Sequence, residues 1–141
     1  GHLPCHRARS GMIVVDTNVI AYLYLPGDRT AAAEALCRED SEWSAPLLWR
    51  SELRNVLATQ IRVGRITLDG AQSIQIDAEQ LLHGREFAVD SAEVLRLAAE
   101  SGCSAYDCEF VVLADYFDVP LYSADRRIVQ RFSHRACLLG E

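Results

Sequence analysis

Short, mostly apolar runs at positions 12–15, 43–45, 87–89, 120–123 and 136–139 alternate with longer stretches of helical periodicity. Strands this short, separated by longer helices, do not form hairpins with one another; the helices act as crossovers and the strands run parallel. A parallel sheet has to be covered on both faces, so the pattern predicts an α/β domain. The predicted helices cover 17–25, stopped by Pro26-Gly27, and 29–38. A third takes Pro46 as its first turn and runs to about Val63, where Gly64 closes it. Further helices cover 67–82, the stretch from an Asp90 cap to Ser101 with Gly102 as stop, 105–117, and 126–132.

The chain has 141 residues, half of them hydrophobic (50%), enough for one core and too few for two. No apolar run approaches the roughly 20 residues of a membrane-spanning helix. All 14 basic residues are arginine. Without lysine a P-loop lacks its phosphate contact and a Schiff-base enzyme lacks its amine, and receiver domains and aspartyl-phosphate phosphatases become improbable too. A net charge of −6 excludes nucleic-acid binding by bulk charge, so such binding needs local help. Residues 1–11 have no periodicity and read as an expression-tag remnant, with Met12 as the native start and 12–141 as a single domain. No apolar leader directs the chain outward. Five cysteines without C-x-x-C spacing are expected as reduced thiols in the cytoplasm, and the histidines are too far from paired cysteines for a zinc site.

In a parallel sheet, ligands bind beyond the carboxyl ends of the strands. Asp16 follows the run 12–15 and Asp125 follows the run 120–123, each directly before a helix. Taken alone, either is more simply an N-cap. Asp107 shares a helical face with Phe110, Val111 and Ala114 and is expected to lean inward, with a capping box from Ser104 as the alternative. Glu52 lies inside the third helix beside the apolar stripe of Trp49, Leu53 and Leu57. Its ordinary alternative is a surface acid paired with Arg50 or Arg54. Four acids meeting at one sheet edge would repel by several kcal/mol unless a cation neutralised them, and oxygen ligands suit Mg²⁺ or Mn²⁺. Such a site can activate water for attack on phosphorus.

Asp-Thr-Asn-Val at 16–19, Ser51-Glu52, Tyr106-Asp107-Cys108 and Ser123-Ala124-Asp125-Arg126-Arg127 together closely resemble the motifs of PIN-domain ribonucleases, more narrowly the VapC-type toxins of bacterial toxin–antitoxin pairs. The resemblance implies a three-layer α/β/α sandwich around a short parallel sheet and Mg²⁺- or Mn²⁺-dependent hydrolysis of RNA. It implies that Asp16, Glu52, Asp107 and Asp125 are the acidic quartet, with Asp16 and Asp107 as main direct metal ligands. Thr17 and Ser123 match the hydroxyl residues beside those acids, and Asn18 matches the motif as a residue that structures the turn. It also implies an antitoxin partner that blocks the site. Glu109, two residues beyond Asp107, falls off the Asp107 face by helical spacing and is left out of the site.

Arg126 and Arg127 are the leading candidates for phosphate contacts, followed by Arg50 and Arg54, although arginines on a solvated helix surface need no such role. Tyr22, Tyr24, Trp49 and Tyr106 are aromatic groups able to stack on an unpaired base, with packing the more ordinary task for Trp49. Apolar surplus at 20–25 and on the helix 67–82 points to a homodimer. The leading expectation is an endoribonuclease toxin acting on RNA. Its rivals are a non-catalytic PIN-like RNA-binding or scaffolding module and a housekeeping RNA-processing nuclease without an antitoxin.

Overall fold

The β-branched run of β1 (Met12–Val15) forms the central strand of the sheet in the computed structural model, which describes residues 11–141. Ile13, Val14 and Val15 are all completely buried. Since neighbouring residues on a strand face opposite sides, that burial requires cover on both faces. The other strands are β2 (Glu42–Pro46), β3 (Glu86–Phe87), β4 (Leu121–Ser123) and β5 (Ala136–Leu138). Their order is β3-β2-β1-β4-β5, and every pairing is parallel.

Among the described residues the helices are α1 (Thr17–Tyr24), α2 (Thr30–Glu39), α3 (Leu48–Arg62), α4 (Leu68–Leu81), α5 (Ser91–Ser101), α6 (Ala105–Phe117) and α7 (Arg126–Arg131). The connections β1 to β2 and β2 to β3 step one way along the sheet, and those to β4 and β5 step back the other way. Right-handed crossovers therefore put α1 to α4 on one face and α5 to α7 on the opposite one. The packing agrees: α1 touches α2 and α3, α3 touches α4, and α5 touches α6, which lies across β1, β2 and β4. The expected three-layer α/β/α sandwich is therefore present. On α3, Trp49, Leu53 and Leu57 fall at fourfold spacing and are buried, leaving Ser51 and Asn55 exposed to one side. Truncating Trp49, which has no exposed surface, would cost about 3–5 kcal/mol.

Two local expectations are corrected. Pro46 does not open α3; it ends β2, opposite Phe87 of β3. Ala45 and Leu47 donate their amides to Arg85 and Phe87 on the β3 side, while the β1 ladder has already ended at Ser44. The amide that proline lacks would have faced that vacated side. Asp90 precedes α5 but its side chain caps nothing; the left-handed Gly102 ends that helix as expected. α6 is ended by Asp118 at φ 54, a left-handed aspartate in a position usually taken by glycine. The expectation of a tag remnant at 1–11 falls, apart from Gly11, outside the described residues. Among the described residues no helix is long and apolar enough to cross a membrane.

Candidate active site

The chain leaves β1 toward β2 on one side, and β4 enters on the other. The loops after β1 and β4 thus diverge and leave a crevice at the carboxyl ends of both strands. Asp16 and Asp125 stand on those two loops. A cavity of about 470 Å³ opens there, and its lining includes Asp16, Thr17, Asn18, Glu52, Asp107 and Asp125.

Asp16 is both an N-cap and a cavity wall. Its Oδ1 accepts the Val19 amide at 3.0 Å, capping α1, and its Oδ2 accepts the Ala124 amide at 3.3 Å from the loop after β4. The Ser123 hydroxyl, fully buried, donates to the same carboxylate and accepts the Asp125 amide at 3.0 Å. Burial raises the Asp16 pKa above the usual carboxylate value; the bonds from Ser123, Val19 and Ala124 oppose that rise, and the charge of Asp107 adds to it. The side chain is fixed at once from α1 and from the end of β4.

Glu52 takes its partner from α1. Its Oε1 accepts the Thr17 hydroxyl at 2.7 Å, and it pairs with neither Arg50 nor Arg54. Burial also raises its pKa, against the Thr17 bond, and the charges of Asp107, Asp16 and Glu109 raise it further. Glu109 does not line the cavity, yet its charge reaches Glu52, which helical spacing alone did not indicate.

Asp107 lies in the first turn of α6, its amide donating to the capping Ser104 at 3.1 Å. Expected to lean inward, it is exposed and lines the cavity, while Phe110, Val111 and Ala114 on the same helical face are buried and make the packing contacts. Asp125 caps α7 by accepting the Arg127 amide at 2.8 Å, and its Oδ2 holds the Arg127 guanidinium at 3.1 Å. The Arg127 side chain pulls the Asp125 pKa below the usual value.

The structure does not bring all the arginines here. Arg50 is bound by Glu86 through Nε at 2.6 Å and Nη2 at 2.7 Å, with Glu79 at 3.1 Å, so it serves the edge of the sheet. Arg54 is exposed on α3 and does not line the cavity, and Arg126 pairs with Glu141 at 3.4 Å. Asn18 lines the cavity and is exposed, while Asp16 is the residue that caps the turn. Ser51, quoted with Glu52 in the motif but given no role, also lines it, as does Asn55, which was not singled out; the polar stripe they form with Glu52 on α3 was the available signal. The Ala124 amide, a backbone group, carried no signal at all.

Among the described residues no three His, Cys, Asp or Glu side chains converge into a closed coordination cage in this conformation. The four carboxylates instead share one cavity, with Asp125 turned onto Arg127. Their donor atoms are all oxygen, a set that fits a hard divalent cation and no soft metal.

Residues 13–133 match the PIN domain. The chain is 30% identical over 125 residues to ribonuclease VapC3 of Pyrobaculum aerophilum, covering 85% of this chain and 94% of that one. Its fold is similar to the crystal structure of PAE2754 from Pyrobaculum aerophilum, with a TM-score of 0.72 at 20% identity, covering 96% of this chain and 89% of that one. A chain of a toxin–antitoxin complex from Klebsiella pneumoniae superposes with a TM-score of 0.64 at 11% identity, covering 89% and 95%. The match to the domain spans most of the sequence and takes in all four carboxylates of the cavity, and the chain belongs to the PIN-domain family.

Proposed function

We propose that the protein is a Mg²⁺- or Mn²⁺-dependent endoribonuclease, the toxin half of a toxin–antitoxin pair. The observation that carries this reading is the convergence of Asp16, Glu52, Asp107 and Asp125 on one cavity, where Asp16 and Glu52 both feel the charge of Asp107. Four acids held at an electrostatic cost have a purpose if a cation joins them. Similarity to ribonuclease VapC3 supports the choice of RNA as substrate, and the fold shared with a chain of a toxin–antitoxin complex supports the choice of partner.

In this reading Asp16, Glu52, Asp107 and Asp125 hold the divalent ion, which when bound supplies a Lewis acid and an activated water for phosphodiester hydrolysis. The remaining work belongs to the chain. Ser123 and the Ala124 amide keep the Asp16 carboxylate in one orientation, and the Thr17 hydroxyl does so for Glu52. Tyr106, 62% exposed on the cavity wall, offers a ring face to an unpaired base of the substrate. An antitoxin with a basic segment fits a cavity lined by carboxylates. A homodimer would cover Leu68 and Ile76, which stand 58% and 57% exposed on α4. Residues 12–141 make up the nuclease domain, working in the cytoplasm.

The test is calorimetric titration of Mn²⁺ into the wild type and Asp107→Asn, followed by incubation of each with total RNA, with and without EDTA. Metal binding and EDTA-sensitive cleavage in the wild type, both lost or severely weakened in the variant, are expected. A wild type that binds no metal and cuts nothing would favour the non-catalytic RNA-binding module.

A further inference from the structure

Among the described residues, the cavity wall contains four carboxylates and no basic side chain. Arg127 touches it from outside. Its backbone amide and its guanidinium both engage Asp125: N to Oδ1 at 2.8 Å, Nε to Oδ1 at 3.4 Å and Nη2 to Oδ2 at 3.1 Å. Both Asp125 oxygens are therefore occupied, one of them twice. The two partners differ in freedom: the Arg127 side chain is 89% exposed and that of Asp125 31% exposed. The guanidinium also feels the charge of Asp107 across the cavity mouth. Its neighbour Arg126 turns away to Glu141 at 3.4 Å.

From this we infer that Arg127 is a built-in counter-ion that occupies Asp125 in the metal-free protein, competes with a divalent cation for that carboxylate, and on release is free to meet a substrate phosphate at the cavity mouth. The inference rests on the proposed metal-binding reading of the four acids. The physical case is one of exchange. An exposed ion pair contributes little, because water screens it and the long side chain loses freedom in making it, so Arg127 is held weakly enough to be displaced. A divalent ion at the acids carries twice its charge and displaces it from a carboxylate that both would use. The released guanidinium stays tethered beside the cavity on α7, with a planar fork of donors suited to phosphate oxygens.

The experiment titrates Mn²⁺ calorimetrically into the wild type, Arg127→Ala and Arg126→Ala, then measures kcat and KM of the wild type and Arg127→Ala on a single-stranded RNA with Mn²⁺ saturating. Arg126→Ala removes the same charge from the adjacent position and leaves Asp125 paired, so it separates local competition from the general field. Arg127→Ala is expected to bind Mn²⁺ about threefold more tightly than the wild type, the scale of a lost exposed pair, while Arg126→Ala stays near the wild type. With RNA, the KM of Arg127→Ala is expected to rise and its kcat to change little, as for a lost contact to a phosphate. Equal Mn²⁺ affinity of Arg127→Ala and wild type would overturn the inference while leaving the metal reading intact, and so would an equal gain in both alanine variants. A wild type that binds no Mn²⁺ would overturn the metal reading, and the inference with it.

Discussion

Thr17 and Glu52, 35 positions apart in the chain, are joined by a hydroxyl-to-carboxylate hydrogen bond of 2.7 Å. Thr17 is buried at 6% exposure in the first turn of α1, so its β-branched side chain has little freedom and points its hydroxyl at α3. Thr17→Val keeps the shape and removes the donor. Cleavage is expected to fall about tenfold, the scale of a hydrogen bond to a charged group, and stability by about 1 kcal/mol because Glu52 loses its donor. Thr17→Ser restores most of the rate. An RNA-cleavage assay beside a melting curve checks both; full activity in the valine variant would remove Thr17 from the site.

Asp107→Asn and Asp16→Asn part company. Both are expected to lose more than about a hundredfold in cleavage, since each removes a charge from the proposed metal site. Asp107 is exposed and sits among like charges, so Asp107→Asn is expected to melt at the wild-type temperature or slightly above. Asp16 accepts bonds on both oxygens, and an asparagine must point its amide group at one of those donors. A loss of about 1–2 kcal/mol by urea unfolding is expected for Asp16→Asn alone.

Acid should weaken one edge of the sheet. Arg50, with help from the Trp49 indole, holds the pKa of Glu86 below the ordinary glutamate value. A carboxyl depressed in the folded state stabilises it at pH values above its unfolded pKa, and that contribution disappears as the pH falls through the folded pKa. Because the Arg50 side chain is 37% exposed, the screened contribution is about 1 kcal/mol. Glu86→Gln is therefore expected to melt below the wild type at about pH 7, with the gap closing toward about pH 3. A gap that persisted in acid would mean the neutral hydrogen bonds, rather than the charge, hold β3.

Asp118 occupies a left-handed conformation at φ 54 that a glycine adopts without penalty. Its ion pair with Arg135 at 3.0 Å is too exposed to repay much of that cost, since the Asp118 side chain is 90% exposed. Asp118→Gly is expected to raise stability by about 0.5 kcal/mol and Asp118→Ala to lower it by a similar amount, measured by urea unfolding. Equal effects of the two substitutions would show the backbone to be unstrained there.

How much of this was legible depended on whether the relevant interaction lay nearby in the chain. The boundaries of α6 at 105 and 117 followed from a local apolar period and a serine cap. Asp16 and Asp125 stood out because an apolar run ending in an acid before a helix is itself a local pattern. Pro46 misled because its fate turns on which side of β2 still has a partner, and that is settled by β1 and β3. Arg50 looked available for phosphate because Glu86, which claims it, is 36 positions away. The exposure of Asp107 depends on what other elements cover the first turn of α6, which residue spacing along one helix does not encode.

The hydrogen bond from the Ala124 amide to Asp16 spans 108 positions, and the strand that precedes Ala124 is among the last to be made. Until Leu121–Ser123 has paired with the central strand, Asp16 lacks both the amide and the hydroxyl that orient it, and Asp125 is not yet beside it. Pairings so distant form late in folding, after the long intervening chain has been gathered in. A partly synthesised or truncated chain thus carries two or three of the acids without the arrangement that would let them act together. Whatever the finished cavity does, the chain cannot do it until Leu121–Ser123 has been made and has paired with Met12–Val15.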